Sequence, residues 1–99
     1  MIVRIVTLRI PPDKSDAAMQ VCKSEILPSL IAVRGLLSTE LLRSPGANGQ
    51  DEWLIISRWA SRDDLDRYNA SGKAQQFLTK LKGILSEAPG PAKTYEPIG

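Results

Sequence analysis

Two runs of the chain constrain its fold more than any other feature: I-V-R-I-V-T-L-R-I at 2 to 10 and E-W-L-I-I-S-R-W at 52 to 59. Both alternate with the period of a β-strand. In the first, Ile2, Val6, Leu8 and Ile10 share one face while Val3, Ile5 and Thr7 share the other. Strands apolar on both faces belong in the middle of a sheet with cover on two sides. Any fold for this sequence has to supply that cover twice.

The segments between them say where one layer comes from. Pro11, Pro12 and Asp13 stop the first strand, and Pro12 suits the first turn of a helix. Ala18, Val21, Cys22, Glu25 and Ile26 then recur at helical spacing, a face broken only by Glu25. Pro28 is expected to kink or interrupt this helix before a further turn carrying Leu30, Ile31 and Val33, with Gly35 as its C-terminal cap. L-L-S-T-E-L-L-R, 36 to 43, reads as a second, more polar strand nearer an edge, and S-P-G-A-N-G-Q-D as a loop. Ser61 with Asp64 is a capping-box pattern that opens a short helix, which Gly72 weakens or breaks. Ala74, Phe77, Leu78, Leu81, Ile84 and Leu85 make an amphipathic helix ended by Pro89-Gly90-Pro91, and A-K-T-Y-E-P-I supplies a last strand.

The order is β-α-β-β-α-β, with the second helical region split. Right-handed crossovers turn it into a ferredoxin-like α+β sandwich: one antiparallel sheet, strands 1 and 3 central, helices on one face. The other face is left apolar and uncovered, the kind of patch that marks an interaction surface. A second copy of the chain is the simplest cover, so the patterning predicts a homodimer. With no internal repeat or linker, residues 1 to 99 read as a single domain.

Composition removes several function classes. The 13 Lys and Arg against 11 Asp and Glu give +2, and the basic residues are scattered, which argues against nucleic acid or an anionic membrane as partner. No stretch approaches the ~20 apolar residues of a membrane helix, and the first apolar run is broken by arginines, unlike a secretory signal. A lone cysteine, Cys22, excludes an intramolecular disulfide and fits a reduced, cytoplasmic setting. The chain has no histidine. That absence removes the commonest neutral-pH acid/base, the commonest transition-metal ligand and the usual protein ligand of haem. The element order also serves RNA-recognition domains, but 52 to 59 lacks their glycine–aromatic signature.

The run I-S-R-W-A-S-R-D-D-L-D-R-Y-N-A-S, followed by Q-Q-F and later by Tyr95-Glu96, resembles the antibiotic biosynthesis monooxygenase family of the dimeric α+β barrel superfamily. P-S-L-I-A-V-R-G-L-L-S-T-E-L-L-R-S-P resembles the family segment in which a helix ends at glycine before the second strand. The resemblance covers nearly the whole chain. It implies a dimer closed through the sheet faces, a pocket between sheet and helices, and cofactor-free oxygenation of phenols and anthrones to quinones. In that chemistry the substrate itself reduces O₂ after losing a proton, and the protein supplies orientation, desolvation and hydrogen bonds. Where Tyr68 stands, many relatives carry a histidine nine residues after the motif tryptophan, Trp59. The haem-degrading branch needs a histidine ligand, and the lack of one argues against it.

The candidate site residues follow. Trp59, on one strand face with Trp53, Ile55 and Ser57, offers a flat wall and one N–H donor; its plainer role is packing at the strand-to-helix turn. Tyr68 is a poor general base but a good donor to a phenolate or oxyanion, with helix packing as its plainer role. Trp59 and Tyr68 are the catalytic candidates, and Trp53, Arg4, Arg58 and Asn69 the substrate-binding ones. Arg4 and Arg58 suit an anionic substrate, against the alternative of snorkelling or pairing with Glu40 or Glu52. Glu25 is the carboxylate on an apolar face, and its plainer position is at the edge, facing water. Cys22 reads as a small buried hydrophobe, and D-D-L-D at 63 to 66 as a dipole-compensating helix start rather than a metal site. Two readings of function stand: a cofactor-free oxygenase of an aromatic substrate, or a non-catalytic dimeric binding module or isomerase of small cyclic compounds on the same scaffold.

Overall fold

The structure, a computed structural model, describes residues 1–46 and 49–98. Four strands, β1 (Ile2–Ile10), β2 (Leu36–Ser44), β3 (Asp51–Trp59) and β4 (Lys93–Tyr95), form one antiparallel sheet in the order β2-β3-β1-β4. The two doubly apolar strands are its centre. The expected loop between β2 and β3 lies in part outside the described residues, at 47 and 48. β1 and β3 pair along their whole length, from Ile2 opposite Trp59 to Ile10 opposite Asp51. This register puts Ile2, Val6, Leu8 and Ile10 beside Trp59, Ile55 and Trp53 on the face that the helices cover. Leu8, Ile10 and Trp59 are fully buried there. Each such aliphatic side chain contributes roughly 1.5–3 kcal/mol by leaving water.

Helices α1 (Ser15–Val21) and α2 (Leu27–Ile31) are joined without a break by a π-helical stretch, Cys22–Ile26. The interruption expected at Pro28 takes this form. Pro28 sits inside this continuous helix and has no N–H to donate to the turn before it, and the π turn stands where that bond is missing. The apolar stripe therefore continues through Ala18, Cys22, Ile26 and Leu30 onto the sheet. Glu25 is exposed, its carboxylate 3.9 Å from the Lys80 ammonium.

Helix α3 (Arg62–Ala70) starts at the cap anticipated from the sequence: the Asp64 amide donates to Ser61 Oγ at 3.2 Å. Gly72, with φ 79°, separates it from α4 (Lys73–Lys80). The second helix is shorter than its apolar spacing suggests. It ends at Lys80 rather than at Pro89, because Gly83 turns the chain with φ 88°. Leu81, Ile84 and Leu85 still reach the core, from turns rather than from a helix. The spacing reported packing, not helix length.

On the opposite sheet face Val3, Ile5, Leu54 and Ile56 are only half-buried, and Leu42 and Tyr95 are exposed. Ion pairs flank this apolar patch, Arg58 with Glu40 and Arg9 with Glu52 at 2.5 Å. The architecture is the ferredoxin-like α+β sandwich expected from the element order. No helix among the described residues is long and apolar enough to cross a membrane.

Candidate active site

Between the helix-covered face of the sheet and the helices lies a cavity. Its floor is Arg4 and Val6 of β1 with Ile55 and Ser57 of β3, and its roof includes Tyr68, Phe77 and Leu78. The enclosed part measures about 30 Å³; counted out to solvent, the space between atoms is about 460 Å³. The closed part holds a water molecule or two and nothing the size of a ring system.

The walls are apolar apart from three groups. Arg4 breaks the apolar row of β1, and the strand register sets it directly opposite Ser57 of β3. Its guanidinium carbon lies 5.7 Å from the centre of the Tyr68 ring, close enough for a cation–π attraction. Among the described residues the Arg4 guanidinium has no ion pair and no hydrogen-bond partner. Burial lowers the Arg4 pKa from its ordinary range, with the neighbouring Tyr68 acting in the opposite sense. Burial raises the Tyr68 pKa, and Arg4 partly offsets that shift. At neutral pH Tyr68 is therefore a protonated hydroxyl, a donor and not a base.

Trp59 reaches this site through others. It is fully buried, its ring centre 4.9 Å from that of Tyr68 and tilted by 35°. It backs the tyrosine without forming the cavity wall. Its indole N–H donates to Ser57 Oγ at 3.0 Å. Ser57 is buried, and its own proton points to nothing nearer than the Arg4 carbonyl at 3.5 Å, the limit of a useful bond. The chain reaches Tyr68 from Trp59 through the Ser61 cap and the first two turns of α3.

The other candidates lie elsewhere. Trp53 is on the same face as Trp59 but opposite Leu8, away from the cavity wall, with its N–H unpartnered among the described residues. Arg58 is on the open face and bonds Glu40. Asn69 is exposed on α3. Cys22 is buried, and burial pushes its thiol pKa up, which suits a packed side chain and not a nucleophile. The described residues contain no cluster of His, Cys, Asp or Glu arranged to hold a metal ion. Ser57 is the functional group that sequence reasoning passed over as a mere neighbour of Trp59. Its signal was a lone hydroxyl in an apolar row, and only strand pairing shows that it faces Arg4.

The family model for antibiotic biosynthesis monooxygenases matches residues 1–80.

The chain belongs to the antibiotic biosynthesis monooxygenase family.

Solved structures agree in fold. Rv0793 from Mycobacterium tuberculosis superposes with a TM-score of 0.73 at 22% identity, covering 99% of this chain and 95% of that one. The monooxygenase from the gene ActVA-Orf6 of Streptomyces coelicolor, solved in complex with the ligand Nanaomycin D, gives 0.73 at 18% identity, with 99% and 88% of the two chains covered. A further antibiotic biosynthesis monooxygenase gives 0.77 at 15% identity over the full length of both chains. Identities this low show the shared fold alone. Among curated proteins, no relative matches the chain.

Proposed function

We propose that this protein is a cofactor-independent monooxygenase that oxidises an electron-rich aromatic, of the phenol or anthrone type, to a quinone. One observation carries the reading: an apolar cavity between sheet and helices in which the Tyr68 ring meets the Arg4 guanidinium, unpaired among the described residues. Family membership and the Nanaomycin D held by the Streptomyces coelicolor monooxygenase support a small-molecule site in this fold.

The chemistry balances without an outside reductant. An anthrone methylene loses two hydrogens and gains one oxygen atom of O₂ as a carbonyl, while the second oxygen leaves with those hydrogens as water. The four electrons that O₂ takes up come from the substrate carbon. Among the described residues the cavity wall has no carboxylate, and the chain has no histidine. The proton therefore leaves to water by the substrate's own acidity, which a nearby guanidinium increases. The Tyr68 hydroxyl then donates to the oxyanion that develops as oxygen adds, in a site from which water is largely excluded. Entry requires the roof to lift. Phe77 and Leu78 lie on α4, which follows the left-handed Gly72, and movement of α4 from the sheet opens the closed volume.

The half-buried apolar face of Val3, Ile5, Leu54 and Ile56 supports a homodimer closed through the sheets. In sedimentation, Ile56→Asp is expected to shift the protein to monomer, and an unchanged dimer would place the interface elsewhere.

The deciding experiment is oxygen uptake over a panel of anthrones and hydroquinones with chelator present, comparing native protein with Tyr68→Phe. Turnover that survives the chelator and falls in the variant supports the oxygenase. A second reading has one observation in its favour: the cavity wall, among the described residues, presents no carboxylate or histidine to act as a base. Ligand binding without protein-dependent oxygen uptake would make the protein a binding module or an isomerase.

A further inference from the structure

We infer that the ligand of this cavity is an aromatic acid, held by its carboxylate at Arg4 with its ring against the Tyr68 side of the cavity. The inference rests on the cavity being the ligand site, and it names the chemical class that the site selects. A polar row crosses the helix-covered face of the sheet, and its Arg4 and Ser57 lie in the cavity floor while Thr39 lies beyond the cavity wall. Register pairs Arg4 of β1 with Ser57 of β3, and Ser57 with Thr39 of β2. The neighbouring rows are apolar, Val6, Ile55 and Leu41 on one side and Ile2, Trp59 and Leu36 on the other.

Every member of the polar row has bonding capacity left over. Arg4 carries a charge with no counter-ion among the described residues. Ser57 accepts from the Trp59 N–H, and its own proton has only the long 3.5 Å contact to the Arg4 carbonyl, which a better acceptor can displace. The Thr39 hydroxyl is buried with no partner among the described residues. A buried polar group left unpaired is costly, and native proteins keep few of them. Donors in excess and acceptors lacking describe a site for an anion. The guanidinium fork matches the two oxygens of a carboxylate better than it matches the single oxygen of a phenolate. Tyr68, neutral and seated against Arg4, supplies no charge to satisfy it.

The test compares 2-naphthoate with its methyl ester, which has the same ring system and no charge, by calorimetric titration of native protein and of Arg4→Gln. Native protein is expected to bind the acid about ten- to a hundredfold more tightly than the ester, the worth of a charge-assisted bond. Arg4→Gln is expected to remove that preference, so that acid and ester bind within a factor of about two of each other, with a melting curve that confirms folding. Equal binding of acid and ester by native protein overturns the carboxylate inference and leaves the cavity as a ligand site. A preference that persists in Arg4→Gln overturns the assignment to Arg4. Binding of neither probe overturns this inference together with the reading of the cavity.

Discussion

Gly35 is a position where one methyl group should cost a great deal, because backbone and packing both oppose it. It has φ 87°, and a Cβ built on it would lie 2.3 Å from Asp64 Cγ and 2.4 Å from Asp64 Cβ. Asp64 has little room to retreat. Its amide and one carboxylate oxygen bond Ser61 at 3.2 and 2.9 Å, and its other oxygen accepts from Arg67 at 3.0 Å. Gly35→Ala therefore carries two penalties. Left-handed backbone at a residue with a Cβ costs about 1–2 kcal/mol. Displacing Asp64 from the Ser61 cap costs about 1 kcal/mol more. The expected loss is ~2–3 kcal/mol, or roughly 10–20 °C in melting temperature for a chain of this size. Gly72→Ala is the control, since Gly72 has φ 79° but nothing within 4 Å of the new Cβ, and it should show the backbone penalty alone. Urea titration of both variants, with Asp64→Gly, which removes every clashing atom, added to each, isolates the clash as a coupling energy. Equal losses at the two glycines, with no coupling to Asp64, would refute the steric reasoning. The corner matters for function because it carries α3, and with it Tyr68, from the end of β3 to the cavity.

Other outcomes follow from the same contacts. Trp59→Ala removes a fully buried indole and should cost ~3–5 kcal/mol in urea titration, whereas Trp59→Phe keeps most of the packing and loses the bond to Ser57. An activity loss in the alanine variant therefore reports unfolding unless the phenylalanine variant shares it. Glu40→Ala breaks the ion pair with Arg58 on the open face, where both side chains are more than a third exposed, and should change stability by no more than ~0.5 kcal/mol at moderate salt. Stability should also fall in alkaline solution. Burial raises the pKa of both Cys22 and Tyr68, so folding favours their protonated forms. Their contribution is whole below the ordinary thiol value of 9.0 and is lost as pH rises through the folded-state values. Cys22→Ala should flatten the first part of that decline in denaturation curves taken across the range, and an unchanged slope would exclude the thiol as its source.

Much of the architecture was legible because it rests on local chemistry. Period two placed Ile2, Val6, Leu8 and Ile10 on one face of β1 without reference to any other strand. Ser61 and Asp64 marked a helix start through bonds three residues apart, and Gly72 marked a break through its own φ. Signals of this kind survive in a linear sequence because the partners are close along the chain. The end of α4 was less legible. Leu81, Ile84 and Leu85 keep helical spacing because they fill the core, but Gly83 had already turned the backbone.

The candidate site divides along the same line. The sequence by itself determined which residue types were available: two tryptophans, a tyrosine on α3, an arginine in an apolar strand row, and no histidine. Whether those residues meet was decided only by the tertiary structure, through the pairing of strands about fifty residues apart. One residue of slip between β1 and β3 would move Ser57 to the opposite face from Arg4 and send the Trp59 indole out of the core. The register that holds is the one that buries Leu8, Ile10, Trp53 and Trp59 together. Hydrophobic burial over the whole sheet thus sets the position of Arg4, Ser57 and Tyr68, a choice that none of the three makes locally.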